Sequence, residues 1–162
     1  MVAGTTSKTA VVTLPTDTQI VITRVFNAPK HLVYRAWTTP ELIKRWWGGD
    51  RGEVILAEVD LRVGGRWRYV MVANAGFEVA FHGDYHDIIQ DELLVSTEVF
   101  EGLPGPGTLS TATFIEHDGR TTLTLLTECP TTELRDAILA SGMEGGMQES
   151  LDHLEQVAVS LL

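Results

Sequence analysis

The chain has 162 residues, 44% hydrophobic and 21% charged, values that fit one globular domain and leave little room for extended disorder. Against 22 acidic side chains stand 12 basic ones, a formal charge of −10 with no Lys/Arg cluster to relieve it. A phosphate backbone or an anionic membrane surface would be repelled, which excludes nucleic acid and membrane as partners, and the single cysteine, Cys129, excludes an internal disulfide.

Residues 1–18 are Thr-rich and lack the apolar core and basic flank of a secretory signal. The sequence therefore predicts a frayed tail over 1–18, a single domain over 19–162 and, with one unpaired thiol, a cytoplasmic location. From Gln19 to Phe26 the β-branched run Ile20, Val21, Ile22, Thr23 and Val25 reads as a strand. Asn27-Ala28-Pro29 ends it, and Leu32, Val33, Ala36 and Trp37 recur at helical spacing. Thr39-Pro40 starts a second short helix that runs to Trp46-Trp47, where Gly48-Gly49 breaks it.

Strand texture follows. Glu53–Asp60, Arg66–Val72, Phe77–Ile89, Leu93–Phe100, Thr108–Glu116 and Thr121–Glu128 are separated by Gly, Pro, Asn and Asp turns. Strands this closely spaced pair antiparallel, because parallel crossovers need more chain. After Pro130 the period returns to helical, with Thr131 or Thr132 as cap, and an apolar stripe runs through Met143, Met147, Leu151, Leu154, Ala158 and Leu161. Gly142, Gly145 and Gly146 weaken this long helix and predict a bend or a close approach to the sheet. An amphipathic helix and a one-sided sheet each need a cover, so the class is α+β, a curved antiparallel sheet wrapped around the C-terminal helix.

The residues resemble a known family in four segments. They are Phe26-Asn27-Ala28-Pro29 with Val33, Ala36 and Trp37; Pro40-Glu41-Leu42 through Trp46-Trp47-Gly48; Asp60-Leu61-Arg62-Val63-Gly64-Gly65; and Gly142-Met143 with Gly146, Ser150, Leu151 and Leu154. Together, from Ile20 to Val157, they resemble the START-like (SRPBCC) superfamily, in the branch of the activator of the heat-shock protein 90 ATPase. The resemblance implies a helix-grip fold whose sheet and C-terminal helix often enclose a hydrophobic cavity. Its members include lipid carriers, polyketide cyclases, resistance proteins that hold a toxic metabolite, and co-chaperones, so fold alone does not give function. Relatives often carry Pro after the double tryptophan and glycine; this chain has Gly49.

Candidate ligand-binding residues lie on the expected inner faces. Trp67, Tyr69 and Met71 share one strand face, while Phe81 and Tyr85 share another with Gly83 between them. Most of these build core; Gly83 would leave a hole there, faced by Met143 and Met147 from the helix. Of the adjacent Trp46 and Trp47, one is expected in the core and the other at a pocket mouth or interface, since neighbours on a helix point about 100° apart. Glu98 alternates with Ser96 and Leu94; facing inward it needs a partner or a raised pKa, and facing outward it is merely solvated.

No cofactor or metal is expected. His82, Asp84 and His86 share a strand face, but Phe81, Gly83 and Tyr85 take the inner one and send the trio to solvent. His153 reads as a solvated residue, Ser150 has no histidine at a telling position, and Cys129 reads as a strand-end thiol. Three functions follow in order: a module that binds a small apolar ligand; a chaperone-related protein partner using Trp46-Trp47 as an exposed anchor, with a homodimer through the same patch as a variant; and a cyclase or hydrolase using Glu98, Tyr69 or Tyr85.

Overall fold

The computed structural model describes residues 10–103 and 105–162. In chain order the elements are β1 (Val11–Thr13), β2 (Gln19–Phe26), α1 (Lys30–Thr38), α2 (Pro40–Trp46), β3 (Gly52–Val59), β4 (Arg66–Ala73), β5 (Glu78–Ile89), β6 (Leu93–Phe100), β7 (Thr108–His117), β8 (Arg120–Glu128), α3 (Thr132–Ala140) and α4 (Met143–Ser160). The eight strands form one antiparallel sheet in the order β1-β2-β8-β7-β6-β5-β4-β3. Strands β3 to β8 meander, each pairing with the next, whereas β2 lies against β8. The pair α1–α2 therefore carries the chain from β2 across to β3 at the far edge.

Local signals explain the boundaries. Asp118 and Gly119 both take positive φ, 53° and 75°, which makes the tight turn that joins β7 to β8 with the favoured twist. Pro40 opens α2 behind Thr39, and the Thr131 hydroxyl caps α3 by accepting from the Leu134 N–H. Helix α4 lies against the concave face of the sheet. Its Leu151, Leu154, Val157 and Ala158 join Ile20, Phe26, Val33, Ala36, Phe114 and Leu123 in one core cluster.

A buried charge ties this core to the helix. Arg24 of β2 is 2% exposed; its guanidinium lies 2.7 Å from Asp152 and 3.0 Å from Glu155 of α4, and 5.0 Å over the Phe26 ring. Glu155 also accepts the Asn27 N–H, so the carboxylate anchors the turn between β2 and α1.

One expectation is corrected. Within the stretch read as tail, Val11–Thr13 pairs with Val21–Thr23 as an edge strand, and Ala10 is held at N–H and C=O by the Gln148 amide; residues 1–9 of the expected tail lie outside the described residues. Of the bend or close approach expected at the glycines of the C-terminal helix, the bend is found, at Gly142 between α3 and α4. Gly142 takes φ 82°, ψ 20°, a left-handed conformation that ends α3 and redirects α4. Gly145 and Gly146 approach the Arg51 guanidinium, not the sheet backbone.

Candidate functional site

A cavity of about 270 Å³ opens between the concave sheet face, α2 and the first half of α4. Cross-strand register explains its floor, because directly opposed residues of an antiparallel pair share a face. One row is apolar: Leu94 lies opposite Ala112, Ala112 opposite Leu125, and Leu125 opposite Ile22. The next row carries hydroxyls: Tyr85 lies opposite Ser96, Ser96 opposite Ser110, and Ser110 opposite Thr127. Both rows line the cavity. The floor is thus amphipathic, half of it apolar and half offering hydrogen bonds.

Aromatic rings make the wall. All four tryptophans of the chain, Trp37, Trp46, Trp47 and Trp67, border the space. Trp46 stacks on Trp37 at 4.9 Å and donates its indole N–H to the Ala36 carbonyl at 2.9 Å. Half-buried Trp47 meets Tyr69 edge-on at 5.4 Å, and Tyr69 lies 4.7 Å from Trp67. Such edge and tilted pairs hold one another in place beyond what burial alone supplies. Helix α4 closes the opposite side with Met143, Met147, Ser150 and Leu151.

Glu98 is the charged side chain on this lining. By accessible surface Glu98 is exposed, and it lines the cavity. The protein packed around it still desolvates the carboxyl and pushes its pKa above the ordinary carboxylate range. Desolvation also holds the Tyr69 hydroxyl well above its usual range, with smaller contributions from Tyr85 and from Glu98. Tyr85 is raised likewise, chiefly by burial. The tyrosines therefore stay protonated donors.

The sequence model of the family described as "Activator of Hsp90 ATPase homolog 1-like protein" matches residues 27–158. The chain belongs to that family. Solved structures of similar fold include a Rhodobacter sphaeroides protein, with TM-score 0.85 and 24% identity over 94% of this chain and 99% of that one. A Chromobacterium violaceum protein is 29% identical, with TM-score 0.77 over 88% of this chain and 98% of its own. An AHSA1-like protein from Aeromonas hydrophila has TM-score 0.64 and 22% identity, over 87% of this chain and 93% of that one. No curated protein matches the chain at a significant level.

In this member of the family, eight of the sequence-predicted residues meet around the cavity: Trp46, Trp47, Trp67, Tyr69, Tyr85, Glu98, Met143 and Met147. Three do not border it. Met71 packs beneath the Gly48 and Gly52 backbone. Phe81 sits between Trp47, 5.6 Å away, and Phe100, 5.2 Å away. Gly83 leaves no hole: a Cβ there would run into the Thr97 carbonyl and come within 2.6 Å of Trp67 Nε1. Its missing side chain makes room for the Trp67 indole, which donates to the Thr97 carbonyl at 3.2 Å.

The adjacent tryptophans are not an exposed anchor either. Trp46 is 4% exposed and Trp47 is half-buried, because α2 ends against β4 and β5 with both indoles turned inward. Residues not singled out from sequence are Ser96, Ser110 and Thr127 of the hydroxyl row, with Trp37 and Ser150. The signal for the row is small polar residues at period two from apolar ones, as in Leu94-Val95-Ser96 and Leu125-Leu126-Thr127.

Outside the cavity the polar groups serve structure. His82 Nδ1 lies 2.9 Å from Glu101, which also takes two hydrogen bonds from Arg68; Arg68 first, then His82, holds Glu101 down to about 2. Asp84 pairs with Arg66 at 3.2 Å, and His153, expected to be merely solvated, reaches Asp50 at 3.1 Å. No group of three or more metal-ligating side chains comes together among the described residues. Burial pushes the Cys129 thiol up, against a smaller lowering from Arg135. Among the described residues no helix is long and apolar enough to cross a membrane.

Proposed function

We propose that the chain binds a small, largely apolar and aromatic-containing molecule in the cavity between sheet and α4, without transforming it. The observation that supports this most is a space left open beside a core that is otherwise closed. Phe26, Val33, Ala36, Ile43 and Leu154 are at 0% exposure, yet about 270 Å³ remains among the aromatic rings. That volume is near the lower end of ordinary ligand pockets, about 300–1,000 Å³, and its mix of apolar wall and few polar groups is theirs.

Tryptophan emission tests the reading, since every indole of the chain borders the space. Addition of 2-phenylethanol should quench or shift the emission saturably. Ser110→Leu, which fills the floor from β7, should abolish the response while the protein stays folded by circular dichroism. An unchanged response in Ser110→Leu would place the alcohol elsewhere and defeat the proposal.

A catalytic reading is favoured by one feature, the carboxyl of Glu98 opening on the same space as the Tyr69 and Tyr85 rings. Full turnover by Glu98→Gln, on whatever substrate is found, would remove it. A chaperone-related role, in keeping with the family's description, requires a surface other than Trp46-Trp47, which face the cavity.

A further inference from the structure

Among the described residues the lining of the cavity contains Glu98 and no lysine, arginine or histidine. An acid or a phosphate placed there would meet a carboxyl and the negative faces of aromatic rings, and would find no countercharge. A cation finds the opposite. Ring faces attract an ammonium through their quadrupole, and a carboxylate in a desolvated site is its natural counter-ion.

Glu98 has no competing partner. It takes part in no ion pair or side-chain hydrogen bond among the described residues, and Thr108, opposite it in the ladder, keeps its buried hydroxyl unbonded. Burial alone raises its pKa, with no neighbouring charge contributing. Tyr69, by contrast, is close enough to respond to the charge on Glu98, and it belongs to the ring cluster with Trp67 and Trp47 at 4.7 and 5.4 Å. Carboxyl and rings line the same cavity. The formal charge of −10 on the whole chain draws cations toward any opening it has.

We infer that the cavity selects organic cations, an amine or quaternary ammonium on a small apolar body, with the nitrogen against Glu98 among the Tyr69, Trp47 and Trp67 rings. The inference rests on the cavity being a binding site and gives the chemical class of its ligand. The hydroxyl row of Ser96, Ser110 and Thr127 would then serve a second polar group on the ligand or ordered water, at a distance from the ammonium along the strands.

Four probes of one shape test it: phenethylamine, its trimethylammonium analogue, 2-phenylethanol and 3-phenylpropionate, each titrated against tryptophan emission. One or both cations should bind at least about tenfold more tightly than the alcohol, and the acid should bind most weakly. Preference for the primary amine over the quaternary analogue would assign an N–H donor; the reverse would assign ring faces as the main attraction. Glu98→Gln should bring the cations to within about threefold of the alcohol while leaving the alcohol's affinity in place. If the alcohol or the acid binds as tightly as the cations to the unaltered protein, the inference fails and the binding function stands. If none of the four changes the emission, both fail.

Discussion

The two ends of α4 do different jobs. From Leu151 to Ala158 the helix presents Leu151, Leu154, Val157 and Ala158 at 0–3% exposure, and Arg24 clamps it through Asp152 and Glu155. From Met143 to Ser150 it presents Met143, Met147 and Ser150 to an open cavity and begins at a left-handed glycine. One element is therefore a core helix at its end and a cover at its start. The difference lies in side-chain shape: branched Leu and Val interlock with the sheet, while flexible Met bounds a space without filling it.

Removing the clamp should have the largest effect. Arg24→Ala leaves Asp152 and Glu155 without their cation beside the core and should cost about 3–5 kcal/mol in urea unfolding. Truncation along α4 sharpens the contrast. Leu154→Ala should cost about 2–5 kcal/mol, as for a fully buried leucine, and Met147→Ala less than about 1 kcal/mol, because part of its side chain already borders empty space. Equal costs would mean that the two ends are packed alike.

On the cavity wall, Gly83→Ala should cost about 1–3 kcal/mol by overpacking. It should also move the tryptophan emission, as the Trp67 indole loses its seat on the Thr97 carbonyl. The smallest effect depends on pH. Because the folded-state pKa of Glu98 is raised, its neutral form favours folding, an advantage complete below the unfolded glutamate pKa and lost as pH rises through the folded value. Glu98→Gln should thus raise Tm relative to the unaltered protein above that window and leave the difference small in acid, checked by thermal melts at both pH values.

The solid end of the molecule was legible in the sequence, and the open end only partly. Strand limits from Gln19 to Glu128 follow from β-branched runs and Gly, Asp and Asn turns, and period two assigns their faces. Period two says nothing of which residue lies opposite which. The row Tyr85, Ser96, Ser110 and Thr127 is made by register across four strands, including the slip between Tyr85 and Asp87, and so stayed hidden. Gly83 was read as a hole because a missing side chain looks alike whether space or a neighbour's indole replaces it. The three-residue strand Val11–Thr13 lacks the length for a pattern, whereas the glycines announced the bend that falls at Gly142. Alternation leaves Glu98 a choice of two faces, and the fold puts it with Leu94 and Ser96 on the cavity lining.

Nuclear magnetic resonance of protein labelled with 13C at the methionine methyls locates the ligand. Half-buried Met143 and Met147 border the cavity, whereas Met71, at 8% exposure, packs beneath Gly48 and Gly52. Saturation with 2-phenylethanol should shift the Met143 and Met147 methyls by ring currents and leave Met71 in place. Shifts confined to Met71, or equal for all three, would contradict a ligand held between the sheet and the first half of α4.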